Sequence, residues 1–114
     1  MFGVTVLIRF VHPGPVLFPS DDPRWEGADS MELLATVVGE LGKAGRTVSA
    51  VDVTIIAEEV RVAPWRDAIR AALAGVLSLG LGRVSVKATS TDGMGFVGRD
   101  EGIAAVAVAT VAAT

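Results

Sequence analysis

The sequence predicts an α/β sandwich, in which helices cover one face of a mixed β-sheet. Segments whose apolar and polar residues alternate, as in strands, lie between segments whose apolar residues recur every three to four positions, as in helices. The predicted order is β-α-β-α-β-β, and a chain of this kind buries its apolar faces by packing helices on a sheet. With 114 residues, we expect a single domain.

The first quarter of the chain predicts a strand and a loop. Val4, Val6 and Ile8 alternate with less apolar neighbours, so residues 3–11 predict a strand. Residues 18–29 hold two prolines and four acidic residues, a composition typical of an ordered loop.

A helix and a second strand follow. Asp29 and Glu32 resemble a capping box at the start of the helix, and Gly42 and Gly45 bracket its end. The residues that share its apolar face are Leu33, Leu34, Val37, Val38 and Leu41. The apolar alternation over residues 48–57 predicts the second strand.

The last part of the chain predicts a second helix and two more strands. Pro64 suits the first turn of the helix, and Gly80 and Gly82 end it. Its apolar stripe consists of Trp65, Ile69, Ala72, Leu73, Val76 and Leu77. Residues 84–88 alternate as a strand. In residues 103–112 the alanines favour a helix and the valines a strand; we choose a strand because the sheet needs a closing partner.

Composition limits the classes of function. Apolar residues make up 51% of the chain, more than a domain of this size can easily bury alone, so we expect an oligomer. The net charge is −3 without a run of Lys or Arg, which argues against a nucleic-acid partner. No cysteine is present to form a disulfide. No apolar segment reaches the roughly 20 residues of a membrane span. The apolar start of the chain lacks the basic region of a signal peptide, which argues against one. We expect a soluble cytoplasmic protein.

The most informative segment is the polar loop of residues 87–102, between two apolar segments. It carries three hydroxyls, three carboxylates, four spaced glycines and an arginine. Hydroxyls and free backbone N–H groups in a glycine-rich bend are what a phosphate or diphosphate requires. The alternative is structural: residues 89–92 form a hydroxyl turn that ends a strand, and the glycines serve only the backbone.

Other polar and aromatic residues also have structural interpretations. Arg99 with Glu101 is either a surface or interface ion pair or part of a ligand site. Asp21 and Asp22 would be solvated loop acids, although a place beside a phosphate stays open. The residues that we expect to serve packing or hydrogen bonding are Trp25, Asp52 and Trp65.

Four blocks of the chain resemble the 2-C-methyl-D-erythritol 2,4-cyclodiphosphate synthase family of the non-mevalonate isoprenoid pathway. They are FPSDDP with GADS (residues 18–23 and 27–30), VDVTIIA (51–57), KATSTD (87–92) and GFVGR with EGIA (95–99 and 101–104). The resemblance implies a homotrimer with active sites at subunit interfaces. It also implies a lyase that converts 4-diphosphocytidyl-2-C-methyl-D-erythritol 2-phosphate into the cyclic diphosphate and CMP, using divalent cations (Zn, Mg or Mn).

The resemblance also implies the residues of the site. Ser90 stands where the family has a threonine thought to stabilise the transition state, and Asp92 replaces the usual glutamate near the cation. Residues 57–63 correspond to the cytosine pocket, with Glu59-Val60-Arg61 in place of Ala-Pro-Lys. The full set of implied substrate-binding residues is Phe18, Ser20, Asp21, Asp22, Ala57, Glu58, Glu59, Val60, Arg61, Val62, Ala63, Thr89, Ser90, Thr91, Asp92, Phe96 and Arg99.

The start of the chain departs from the family. Residues 1–16, an atypical strand, stand in place of the family's metal-binding segment, and residues 17–112 carry the resemblance. His12 is the only histidine, and Phe10 stands where the family's Asp-x-His pair needs aspartate. A catalytic zinc site needs three ligands, so we expect the metal ligands to be absent from this chain. Three hypotheses follow: a synthase completed by another subunit, a non-catalytic trimeric cytidine-nucleotide-binding or structural relic, or a truncated form of an ordinary synthase.

Overall fold

The computed structural model describes residues 2–6, 22–27 and 29–114. The strands and helices in chain order are β1 (Phe2–Val6), α1 (Ser30–Lys43), β2 (Arg46–Ile56), α2 (Arg66–Leu77), β3 (Val84–Thr89), the single-turn helix α3 (Gly95–Gly98) and β4 (Ala104–Ala113). Short 3-10 turns lie at Pro23–Trp25, Ala63–Trp65 and Leu81–Arg83.

The four strands form one mixed sheet in the order β1-β4-β2-β3. Strand β2 is parallel to β3, while β4 is antiparallel to both β1 and β2. The predicted fold class, a mixed sheet with helices, is therefore confirmed. The ambiguous last segment is a strand because it fills the gap between β1 and β2, where both of its edges are hydrogen-bonded.

Some predicted boundaries differ from the observed ones. Helix α2 begins at Arg66 rather than at Pro64, because Trp65 N donates to Val62 O at 2.9 Å and closes a tighter 3-10 turn first. The short helix α3 was not predicted. Of the predicted strand over residues 3–11, residues 7–11 lie outside the described residues, as does His12.

One hydrophobic core joins both long helices to one face of the sheet. Its most buried members are valines of the two parallel strands, among them Val84, which is 3% exposed, and Val86, which is 6% exposed. The helix residues that pack on them are Leu34, Val38 and Leu41 of α1 and Ile69, Leu73, Ala74 and Leu77 of α2. Since side chains alternate along a strand, residues of the other parity lie on the opposite face.

That opposite face of the sheet, the helix-free face, is not covered by a helix of the described part of the chain. It carries a mixed set of residues, namely Ala50, Asp52, Thr54, Ser85, Lys87, Val106, Val108 and Thr110. An open groove of about 400 Å³ runs along it near Arg83. Val108 is 43% exposed there, so an apolar strip faces solvent in the isolated chain. Among the described residues, none of the helices has the length and apolar character needed to cross a membrane.

The connection from β3 through α3 folds closely on itself. Gly93 has φ of +80° and Gly95 of +70°, values that side chains rarely adopt. A Cβ placed on Gly98 would lie 2.1 Å from the carbonyl carbon of Gly93. These glycines therefore serve the backbone of the loop.

Val84→Ala tests the core at its most buried valine. Removing two methyl groups from this site should lower the free energy of unfolding by about 2 kcal/mol, through lost burial and the cavity left behind. Urea unfolding followed by circular dichroism measures the change. The matched control Val60→Ala alters a side chain that is 55% exposed and should stay within about 0.5 kcal/mol. Equal effects of the two changes would contradict this description of the core.

Gly98→Ala tests the close approach of the loop backbone. The new methyl group would overlap Gly93, so we expect a loss of about 1–3 kcal/mol in unfolding free energy. Gly75→Ala is the control, because nothing lies within 4 Å of a Cβ at this position of α2. There the better helix propensity of alanine should stabilise the chain by roughly 0.5–1 kcal/mol. A neutral Gly98→Ala variant would show that the loop is not closed in this way.

Candidate functional site

The candidate site lies where the parallel strands β2 and β3 end side by side. Ile56 pairs with Thr89 at the last register position, and Ala57 N donates to Thr89 O at 3.0 Å. Parallel strands bring their carboxyl ends to the same edge of a sheet. The pairing therefore brings residues 57–63 next to the loop of residues 89–94.

Glu58 links these two segments directly. Its Oε2 accepts from Thr91 N at 3.3 Å, and its Oε1 accepts from Gly93 N at 3.1 Å. The two amides lie on either side of Asp92, which has φ of +54°. A carboxylate from the end of β2 thus holds the backbone of the loop that follows β3.

The remaining amides of the loop are also used within the chain. Asp92 N donates to Ser90 Oγ at 3.3 Å, and Met94 N donates to Thr91 O at 3.1 Å. The Thr91 hydroxyl donates to Met94 O at 2.6 Å. The sequence-based expectation of free backbone N–H groups is therefore wrong for residues 91–94, because each of these four amides already has an acceptor.

The exposed groups of the loop are side chains rather than amides. Thr89, Ser90 and Asp92 are exposed, and Ser90 Oγ lies 3.3 Å from Asp92 Oδ1, to which it donates. The loop thus presents two hydroxyls and one carboxylate to solvent. Hydroxyl donors can bind phosphoryl oxygens, and a carboxylate can bind a cation that accompanies them.

The neighbouring segment of residues 57–63 divides into buried and exposed positions. Ala57 is 7% exposed and Val62 is 6% exposed, so both residues belong to the interior. Glu59, Val60 and Arg61 are exposed beside the loop. The segment therefore presents a cation, an anion and an apolar side chain.

Residues 95–103 present a second group of exposed side chains. Phe96 is 53% exposed and Ile103 is 58% exposed. Arg99 forms a bidentate ion pair with Glu101, with Nε 2.9 Å from Oε1 and Nη2 3.2 Å from Oε2. This geometry agrees with the surface or interface ion pair that the sequence allows.

Other candidate residues lie elsewhere. Asp22 accepts from Arg24 Nη2 at 2.7 Å, and these side-chain hydrogen bonds hold the pKa of the Asp22 carboxyl below its usual value. Asp52 accepts from Lys87 at 2.6 Å on the helix-free face, and this bond likewise lowers its pKa. Both carboxylates thus have local cationic partners. The predicted residues Phe18, Ser20 and Asp21 lie outside the described residues.

The described residues contain no candidate metal centre. Within residues 2–6, 22–27 and 29–114, no group of three or more His, Cys, Asp or Glu side chains could hold a metal ion. Sequence reasoning assigned Glu58 to the nucleotide pocket and missed its role in holding the loop. No local sequence pattern marks this contact, because it depends on the parallel pairing of β2 with β3.

The comparisons with known proteins agree with this architecture. The YgbB family matches residues 14–112 of the chain. The 2-C-methyl-D-erythritol 2,4-cyclodiphosphate synthase of Symbiobacterium thermophilum is 47% identical over 95 residues, which are 83% of this chain and 60% of that relative. The chain thus spans about 60% of the length of that synthase.

Solved structures show the same fold. The bifunctional IspDF of Campylobacter jejuni superposes with a TM-score of 0.81 at 30% identity, over 86% of this chain and 27% of that one. IspF of Plasmodium falciparum, solved as a CDP complex, superposes with a TM-score of 0.71 at 21% identity, over 75% and 55% of the two chains. With the fold, the polar loop and the matched residues in agreement, the chain belongs to the YgbB family.

Proposed function

We propose that this chain is 2-C-methyl-D-erythritol 2,4-cyclodiphosphate synthase-like and carries the cytidine-diphosphate-binding half of the site. The observation that supports this proposal most strongly is the meeting of residues 57–63 with the exposed hydroxyls of residues 89–92 at one edge of the sheet. These are the two segments that the resemblance assigns to cytosine and diphosphate. The related synthase and the CDP complex of the Plasmodium protein agree with a nucleotide ligand.

Each exposed group has a proposed task. The hydroxyls of Thr89 and Ser90 donate to oxygens of the diphosphate, and Ser90 stabilises the charge that develops there during phosphoryl transfer. Arg61, which is exposed, adds a positive charge beside the nucleotide. The backbone of Ala57 and Val62 borders the cytosine. The resemblance assigns Phe18, Ser20, Asp21, Asp22, Phe96 and Arg99 to the rest of the substrate.

A divalent cation fits one part of this arrangement. Mg²⁺ in proteins is commonly held by one or two carboxylates together with substrate phosphates, and Asp92 supplies one exposed carboxylate beside the hydroxyls. The bound ion would offset negative charge on the phosphoryl oxygens. The described residues contain no group of His, Cys, Asp or Glu side chains that could form a zinc site with three protein ligands.

The proposed assembly is a homotrimer in the cytoplasm, with the helix-free face of the sheet turned toward other copies. That face carries the exposed Val108 and the groove near Arg83. In a mixed trimer, a subunit that supplies metal ligands would complete the site that this chain leaves open. The second candidate is a non-catalytic cytidine-nucleotide-binding relic, favoured by Glu59-Val60-Arg61 in place of the family's Ala-Pro-Lys.

Titration calorimetry with CDP and CMP tests the nucleotide site. We expect CDP to bind more tightly than CMP in the presence of Mg²⁺, because the second phosphate brings the ion to Asp92. Asp92→Asn should weaken CDP binding about tenfold in Mg²⁺ and leave CMP binding unchanged. Asparagine tolerates the left-handed backbone of this position, so the loop keeps its shape. The control Asp67→Asn removes an exposed carboxylate of α2. Absence of heat at millimolar CDP would refute the nucleotide site.

Turnover distinguishes the synthase from the relic. The chain is assayed alone and mixed with a homologous synthase whose own cytidine-binding loop has been disabled, in Zn²⁺ and Mg²⁺. We expect activity only in the mixture, and Ser90→Ala in this chain should reduce it on the order of a hundredfold through loss of one donor. Activity of the unmixed chain would contradict the mixed-site proposal, and an inactive mixture would favour the relic.

A further inference from the structure

The carboxylate of Glu58 occupies a position in which an anion would otherwise be expected. The amides of Thr91 and Gly93 converge on it from a turn with two consecutive left-handed residues, Asp92 at φ +54° and Gly93 at +80°. Consecutive amides of such a turn form a concavity that binds anions. Here the anion is the Glu58 carboxylate of the chain itself, and each of its two oxygens accepts a hydrogen bond from one amide.

We propose that Glu58 is a positioning residue, which fixes the exposed hydroxyl and carboxylate of the loop by filling its amide concavity. This inference rests on the proposed nucleotide-binding function. In the resulting arrangement the diphosphate meets the side chains of Ser90 and Asp92 rather than the amides of Thr91 and Gly93. Glu58 itself touches the loop and not the ligand.

The chemistry of the concavity supports this assignment over direct phosphate binding. Hydrogen bonds from amides to a carboxylate are stronger than those between neutral groups. A phosphate in the same place would have to displace the half-buried Glu58 and would then lie beside its negative charge. The other two amides of the turn, of Asp92 and Met94, already donate within the loop.

The Glu58 carboxylate has two opposing effects on the affinity for an anion. The direction in which CDP affinity changes when the carboxylate is removed therefore tests the proposal. Its negative charge disfavours a nearby diphosphate, so its removal alone should raise the affinity for CDP. Its two hydrogen bonds hold Ser90 and Asp92 in place, so their removal should lower the affinity. The proposal requires that the loss of positioning outweighs the relief of repulsion.

Two variants separate charge from hydrogen bonding. Glu58→Gln keeps the shape and one acceptor oxygen, but turns an NH₂ group toward the second amide, where two donors then meet. Glu58→Ala removes both acceptors. The matched control is Glu40→Gln, which removes an exposed carboxylate that contacts Lys43 on α1.

The first measurement is site-resolved amide hydrogen exchange by NMR on the full chain without ligand. In the unmodified protein the amides of Thr91 and Gly93 should exchange more slowly than unprotected amides, by about tenfold or more. Glu58→Ala should abolish this protection at both sites, and Glu58→Gln at one, while Glu40→Gln leaves both unchanged. Unprotected amides in the unmodified chain would overturn the proposal without any variant being needed.

The second measurement is CDP affinity by calorimetry in Mg²⁺. We expect a fall of about tenfold in Glu58→Ala, a smaller fall in Glu58→Gln and none in Glu40→Gln. A rise in affinity in Glu58→Ala would overturn the positioning role, because it would show that repulsion dominates. If the unmodified chain binds no CDP, the proposed function fails, and the amide exchange still decides whether Glu58 holds the loop.

Discussion

The parallel pairing of β2 with β3 is the constraint on which the candidate site depends. It buries Val84 and Val86 beneath the two helices and fixes the register that sets Ile56 beside Thr89. Every contact between residues 57–63 and the polar loop follows from this register. A shift by one residue would turn the valines to the helix-free face and separate Glu58 from its two amides.

The elements of the fold were largely predictable because local patterns determine them. The alternation in β2 and β3 and most of the apolar stripe of α2 indicate which faces are buried. The prediction was wrong for two members of that stripe, because Trp65, which we expected to pack, is 65% exposed and Ala72 is also exposed. The last strand was ambiguous, since its alanines and valines favour different structures. Tertiary context decides it, because β4 bonds to strands on both sides, and no local propensity contains that information.

The contacts that join residues 57–63 to the polar loop were not predictable from the sequence, and the assignment of site residues stays a prediction. The hydroxyls of Thr89, Ser90 and Thr91 mark the loop in the sequence. Its amides were expected to be free, and the structure shows them bonded. Two of the bonds are local, and the other two go to Glu58, which comes from a segment more than thirty residues earlier. Contacts between distant segments depend on strand pairing, which single-sequence patterns do not specify. The resemblance assigned these residues to one site, and the structure shows that Glu58 joins the two segments.

Chemical-shift mapping of the ¹⁵N-labelled chain during titration with CDP and Mg²⁺ tests the central claim most directly. If the nucleotide binds at the junction of β2 and β3, the perturbed amides will lie within residues 57–63 and 89–94, with small changes elsewhere. Perturbations confined to the helix-free face, around Asp52 and Val108, would contradict the account. They would place the ligand on the helix-free face of the sheet rather than at the carboxyl ends of β2 and β3.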